Sequence, residues 1–281
     1  MKPHKIGLAL TKGLFPSPEE GFPILKRYGI DSTFTMVDTK ERLQQWAELA
    51  AFYGIDYSSL HAPFSKVAKH IWRDDLDGED AERIWLCSID ACANIHVPIL
   101  VIHPFIGSFH HEPEPTEIGL ARFRRLAEYA EQKGVRIALE NVEGEAHLAL
   151  LMNSLRTFKS IGFCLDTGHE VCYNRGKDML QLYGDRLYYL HINSNAGVSS
   201  PIGEIDGADD THWLPFDGAA DMECFAARLS KLQYDGVLMM ELKGPHADKS
   251  IYGHLSTEEY VQKAVAQIKR LRDMIKSGKG K

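Results

Sequence analysis

Several features that mark common protein classes are scarce or missing in this sequence. The first apolar run, Ile6 to Leu10, is too short for a signal-peptide core or a membrane span. The five cysteines (Cys87, Cys92, Cys164, Cys172, Cys224) are odd in number and form no C-x-x-C pair. That argues against a zinc knuckle or a complete disulfide framework and fits free thiols in a reducing compartment. Positive charge is not in excess: 32 Lys and Arg face 39 Asp and Glu, a net −7, so the chain has no global attraction for nucleic acid or anionic membrane. No Gly-x-x-x-x-Gly-Lys loop and no Gly-x-Ser-x-Gly elbow occur, which leaves nucleotide hydrolysis and serine acyl transfer without support. A soluble, cytoplasmic protein is the expectation.

What is present is a regular alternation. Strands are predicted at Lys5–Leu10, Ser32–Val37, Tyr57–Ala62, Ile99–Ile102, Arg136–Leu139, Gly162–Asp166, Leu187–Leu190 and Val237–Met240. Between them, helices are predicted from Ser17 towards Tyr28, at Lys40–Tyr53, at Glu79–Ile95 with Ile84, Cys87, Ile89 and Cys92 facing the core, and at Thr116–Lys133 before Gly134. Further helices are expected at Ala149–Phe158, Lys177–Tyr183, Asp221–Leu232 and Thr257–Ile275, with a long irregular segment over Asn193–Ala220. Eight beats in 281 residues, 44% of them hydrophobic and with no linker, predict an α/β chain folded as a single (β/α)8 barrel over 1–281, its end from about Ile275 frayed. An open doubly wound sheet is the weaker alternative, because no glycine fingerprint follows the first strand.

Side-chain parity adds chemistry to this frame. Along a strand, residues two apart share a face. Ala138 therefore sits with Glu140, Cys164 with Asp166, Tyr189 with His191, Met239 with Glu241, Ser59 with His61, and Val101 with His103. Leu139, Phe163, Leu165, Leu190, Leu238, Met240, Leu60 and Ile102 point the other way, towards the helices. Six polar side chains thus project into one barrel mouth, at the carboxyl ends of the strands, where barrel active sites lie. Glu140, Asp166, His191 and Glu241 bring three carboxylates and an imidazole together, a set that makes sense around a divalent cation: Mn2+ or Mg2+ by the oxygen ligands, Co2+ or Zn2+ by the histidine.

The other candidates have readings on both sides. His61 and His103 suit substrate contact, a satisfied core position or further metal ligation. His169, three residues past Asp166 in what reads as a small-residue turn, and the Asp210-Thr211-His212 pair in the long segment are contacts, ligands or plain turn residues. Lys243 reaches a substrate oxygen or is solvated. His4, His70, His96, His110, His111, His147, His246 and His254 have no strand register to recommend them.

The motifs His61-Ala-Pro-Phe, Ile102-His-Pro, Ala138-Leu-Glu-Asn, Gly162-Phe-Cys-Leu-Asp-Thr-Gly-His, Leu190-His-Ile-Asn and Met240-Glu-Leu-Lys, in this order, resemble the xylose isomerase-like barrel superfamily. That superfamily includes ketose 3-epimerases, other small sugar and inositol-converting enzymes, and type IV abasic-site endonucleases. The resemblance to the epimerase-like members implies one divalent ion on Glu140, Asp166, His191 and Glu241, the two glutamates also serving as the acid/base pair. It implies a small carbohydrate substrate, free or phosphorylated, with Phe64 and Lys243 as candidate contacts, and it is compatible with a homo-oligomer. The resemblance to the endonucleases implies three zinc ions on His61, His103, Glu140, Asp166, His169, His191, Asp210, His212 and Glu241, and nucleic acid as the partner. The flanks depart from that second pattern: no bulky wedge follows His61, Ile192-Asn193-Ser194-Asn195 carries no aspartate, and Leu-Lys follows Glu241. The missing aspartate also puts a usual supporting contact to the metal ligands in question. A sugar isomerase or epimerase is therefore the first expectation and the endonuclease the alternative. A barrel that binds sugar without chemistry is a third reading, one that the complete acidic set argues against.

Overall fold

The computed structural model describes residues 3–11, 13–107, 113–200 and 206–278. Eight parallel strands form the core: β1 (Ile6–Leu8), β2 (Ser32–Met36), β3 (Asp56–His61), β4 (Ile99–Ile102), β5 (Arg136–Glu140), β6 (Ile161–Asp166), β7 (Leu187–His191) and β8 (Leu238–Met240). Their order, β7-β6-β5-β4-β3-β2-β1-β8, follows the chain round the sheet. Ile192 closes the ring between β7 and β8: its N–H donates to Met239 O at 2.7 Å, and its carbonyl accepts from Glu241 N at 3.3 Å. All eight predicted strands are present, most of them shifted by a residue or two at their ends.

Two apolar layers result, and they are the two faces that parity separates. Ala9, Phe34, Ile99, Val101, Ala138, Cys164, Tyr189 and Met239 pack inside the barrel. Leu60, Ile102, Leu139, Phe163, Leu165, Leu190, Leu238 and Met240 pack outward beneath the helices. A strand covered on both faces needs apolar residues throughout, and β4, Ile-Leu-Val-Ile, is buried at every position.

Among the described residues ten α-helices run between and after the strands: α1 (Pro18–Arg27), α2 (Lys40–Tyr53), α3 (Ser65–His70), α4 (Leu76–Asn94), α5 (Glu117–Lys133), α6 (Glu145–Ser154), α7 (Thr167–Cys172), α8 (Met179–Tyr183), α9 (Met222–Ser230) and α10 (Thr257–Ser277). Their limits follow capping chemistry. Thr116 caps α5 by accepting from Gly119 N, and Gly134 ends it in the left-handed conformation at φ +69°. Ser256 and Glu259 form a reciprocal capping box on α10.

Several expectations need correction. Helix α4 starts at Leu76, not Glu79, because Asp75 accepts from Gly78 N and caps it there; along it Ile89 and Cys92 are buried, but Ile84 is half-buried and Cys87 exposed. Helix α6 begins four residues before the expected Ala149 and ends at Ser154, not Phe158. Helix α3 was not expected; it is a six-residue turn whose N-cap, Phe64, offers no side-chain acceptor that would have announced it. The residues after Asp166 form α7 rather than a turn, because Asp166 Oδ1 accepts from His169 N at 2.8 Å and caps that helix. Helix α10 continues to Ser277, so Ile275–Ser277 is not frayed, and 279–281 lie outside the described residues. Among the described residues no helix is long and apolar enough to cross a membrane.

Candidate active site

The polar strand ends meet at the carboxyl mouth of the barrel. Glu140, Asp166 and His191 are each 0% exposed. Glu140 lies at the centre. Its Oε2 is 3.3 Å from His61 Nε2 and 3.2 Å from His103 Nε2, while Oε1 is 3.1 Å from His191 Nδ1 and 3.3 Å from His169 Nδ1. His191 Nδ1 stands equally close to Glu241 Oε2, at 3.1 Å. Candidate ligand atoms fall into overlapping groups: His61, His103 and Glu140; Glu140, Asp166, His191 and Glu241; His169, Asp210 and His212. A further group puts Cys164 with Glu140 and His191.

Asp210 and His212 come from the long segment after β7, which is less irregular than its sequence suggests. Ser194 and Trp213 exchange two backbone bonds, at 2.9 and 2.6 Å, and Ala220 N donates to Ser194 Oγ at 3.0 Å. The loop is thereby folded back over the mouth. His212 adopts φ +48°, a left-handed conformation that costs a non-glycine residue roughly 1–3 kcal/mol. It is held there by Nδ1 donating to Glu241 O at 2.9 Å and by Nε2 against Asp210 Oδ2 at 2.9 Å. His169 Nε2 is 3.5 Å from Asp210 Oδ1.

Do these groups fit a metal ion? Three observations say they do. First, backbone carbonyls fix two tautomers: His61 Nδ1 donates to Ala62 O at 2.9 Å and His212 Nδ1 to Glu241 O, so each ring turns Nε2 inward, the arrangement found behind metal-binding histidines. Second, three buried atoms turned into the cluster, Glu140 Oε2, His169 Nδ1 and Asp210 Oδ1, have neighbours of opposite polarity at 3.2–3.5 Å but no well-formed hydrogen bond. Such atoms are costly unless something pairs with them. Third, Asp166 is oriented from behind by Asn193, whose Nδ2 donates to Oδ2 at 2.6 Å. The contact that the missing aspartate put in question is thus supplied by the Asn193 amide. Gly168 makes room for it, since a Cβ there would stand 2.0 Å from Asn193 Oδ1.

The electrostatics follow the same geometry. Burial raises the Asp166 carboxyl. Burial acts the same way on Glu140, but the imidazoles of His191 and His103 overcome it and hold that carboxyl well below the usual range. Glu241 is brought down to about 2, against burial, by His191 and His212. Burial opposes charge on His169 and His191, yet Asp166 and Asp210 hold the first, and Glu241 and Glu140 the second, well above the ordinary imidazole value. His103 goes the other way, pushed down to about 4 by burial, and so keeps a free lone pair. With no ion present, protonated imidazoles supply the positive charge that the carboxylates demand.

Above the cluster is a cavity of about 460 Å3. Met36, Phe64, Ile106, Val142 and Leu242 give it an apolar wall, and Phe64 stacks on His103 at 4.6 Å between centroids. Lys243 lines it too; it is not simply solvated but donates to Asp210 O and lies 3.5 Å from Asp210 Oδ2. Sequence reasoning misses several lining or supporting residues, among them the apolar wall other than Phe64. Glu143, its carboxyl raised by burial, and Tyr173 line the cavity, and Asn193 lies behind Asp166. Tyr173 is four residues past His169, the spacing that brings two side chains onto one helical face, so its position was readable once α7 was known. His4, His70, His96, His147, His246 and His254 stay out of the cluster, His147 being stacked on Phe105 at 4.1 Å; His110 and His111 lie outside the described residues.

Residues 22–274 match the family model described as xylose isomerase-like TIM barrel. Among curated sequences the chain is similar to a protein of Sinorhizobium fredii (strain NBRC 101917 / NGR234) named Uncharacterized protein y4fM, 29% identical over 202 residues. That match covers 68% of this chain and 60% of the relative, so it spans less than two thirds of the relative's length. Among solved structures, a xylose isomerase domain protein from Planctomyces limnophilus superposes with a TM-score of 0.74 at 14% identity, covering 99% of this chain and 100% of that one. An IOLI protein with a bound zinc atom gives 0.74 at 19%, covering 98% and 100%. D-psicose 3-epimerase, determined in the presence of D-fructose, gives 0.73 at 13%, covering 95% and 99%. At these identities the likeness is one of fold.

Proposed function

The chain belongs to the xylose isomerase-like TIM barrel family, and from that premise we propose that it is a divalent-metal-dependent isomerase or epimerase of a small sugar, polyol or sugar phosphate. The observation that carries this reading is the pair Glu140 and Glu241, each 3.1 Å from His191 Nδ1 and grouped with Asp166, with Glu241 lining a cavity of about 460 Å3, large enough for a monosaccharide, and Glu140 buried beneath it. The sugar epimerases and the zinc-bound IOLI protein among the structural neighbours lend it support. Glu140, Asp166, His191 and Glu241 would hold the ion. When bound, a divalent ion there polarises a carbonyl and its neighbouring hydroxyl and lowers the barrier to losing a carbon-bound proton.

The remaining steps belong to the chain. Glu241, anionic at neutral pH, takes a proton from carbon at one side of the substrate and, now an acid, can return it at the adjacent carbon; for return at the other face Glu140 passes on a proton drawn from the His169 imidazolium, 3.3 Å from its Oε1. His61, His103 and His169 present ring nitrogens to substrate oxygens. The wall of Met36, Phe64 and Ile106 covers the apolar face of the sugar. The test is solvent exchange: in D2O, the metal-loaded chain should place deuterium beside the carbonyl of its ketose substrate, and Glu241→Gln should not. Undiminished exchange in Glu241→Gln, or full turnover after exhaustive metal removal, sinks the reading.

One observation favours a second reading. The flanking groups, His61 with His103 and His169 with Asp210 and His212, are also ligand-like, and backbone carbonyls on Nδ1 turn Nε2 of both His61 and His212 towards the carboxylates. Three zinc ions would make the mouth positive and suit a phosphodiester, whereas one ion leaves it acidic and suits a neutral polyhydroxyl substrate. About three zinc ions per purified chain, together with nicking of an abasic-site duplex, would make the endonuclease reading the better one.

A further inference from the structure

Helix α7 carries His169 into the cavity and Glu170 outside it. Glu170 is 7% exposed, and its carboxylate is fully engaged. Arg228 on α9 donates Nη1 to Oε1 at 2.8 Å and Nη2 to Oε2 at 2.6 Å, and Met179 N donates to Oε1 at 2.9 Å. Arg228 Nη1 also reaches Asp178 Oδ1 at 2.7 Å. One planar guanidinium therefore ties α7, the start of α8 and α9 together on the side of α7 away from the reaction centre.

Helix α7 has six residues, too few to hold its own pitch in water. Its strand end is pinned by Asp166, by Thr167 Oγ1 donating to Asn193 O at 2.6 Å, and by Asn195 Nδ2 donating to Gly168 O at 2.8 Å. The outward face is pinned through Glu170. His169 has to meet Glu140 at 3.3 Å and Asp210 at 3.5 Å at once, so a small rotation of the helix breaks one contact or both. A bidentate arginine–carboxylate fork fixes orientation as well as distance, which a lysine cannot do.

We propose that Glu170 and Arg228 are positioning residues for His169, setting the rotation of α7 so that the imidazole spans Glu140 and Asp210. The proposal rests on His169 belonging to the reaction centre described above, but not on which substrate that centre takes. It is tested in the metal-free full chain by long-range 1H–15N spectra of the histidine rings, the His169 signals being assigned by their absence from His169→Gln. In Arg228→Met the His169 ring signals should move while those of His61, fixed by Ala62 O, stay; Arg228→Lys should lie between. Should Arg228→Met not fold, Glu170→Gln decides, since it keeps the volume and an acceptor for Met179 N. His169 ring signals that coincide with the wild type in the folded variant overturn the proposal, whatever happens to stability. If the wild type turns over a ketose, kcat in Arg228→Met should fall about 10–100-fold with KM within about twofold. A wild type that acts on no sugar refutes the isomerase reading and leaves the ring spectra to judge this one.

Discussion

The barrel interior has two storeys built by the same strands. In the lower storey Ala138, Cys164, Tyr189, Met239 and Val101 form a dry packed layer. Two residues further along, the same strands present Glu140, Asp166, His191, Glu241 and His103. One pleat therefore separates a layer that stabilises the fold from a layer that taxes it. Buried carboxylates and imidazoles with unpartnered atoms cost free energy that the apolar storey and the outer helices must offset. Proteins retain such a layer for function.

Substitutions in the two storeys should separate cleanly. The largest effect is expected for Glu241→Gln, which should lower turnover by about 10²–10⁴-fold while leaving the thermal unfolding midpoint near that of the wild type. An unfolded Glu241→Gln would mean that the upper storey also supports the fold. Met239→Ala, two residues earlier, should do the reverse: a loss of about 2–5 kcal/mol in urea unfolding, with kcat per folded molecule little changed. Asn193→Ala, which removes the bond behind Asp166, should weaken divalent-ion affinity by about 10–100-fold in calorimetric titration. Unaltered affinity would show that Asp166 needs no help.

A smaller effect concerns pH. In the metal-free protein His169, His191 and His212 are held above the ordinary imidazole value. An ion bound to His191 must displace that ring's proton, and its charge works against those of His169 and His212, so its affinity should rise as pH rises from about 6 to 8, and uptake should release protons to the buffer. Titrations in two buffers of different ionisation enthalpy measure that release; a value of zero would contradict the assignment of His191 as a ligand.

Much of this was legible in the sequence, for a reason specific to barrels. Strand parity has a period of two, so the inward set could be read from Ala138/Glu140 or Cys164/Asp166 without knowing any contact, and the two apolar clusters fall on the two parities. The acidic chain ends of β5, β6 and β8 are conspicuous in otherwise apolar strands. What stayed hidden depends on long-range partners. Asn193 does its work only because Gly168 lets it approach Asp166, and Glu143, half-buried, meets the backbone of Gly107 in the segment after β4. Helix α7 is hidden in the sequence because Asp166 ends a strand and at the same time caps the next helix. The fold of the segment after β7 depends on the Ser194–Trp213 bridge, which no local pattern announces.

The central claim is that the upper storey is a metal centre. It is tested most directly by counting tightly held divalent ions per chain in protein purified without chelator, by elemental mass spectrometry, in the wild type and in Glu140→Gln. The account predicts at least one ion per wild-type chain and its loss in Glu140→Gln, the residue that touches His61, His103, His169 and His191. A wild-type chain that holds no ion, takes up none on titration and still turns over its substrate would contradict it.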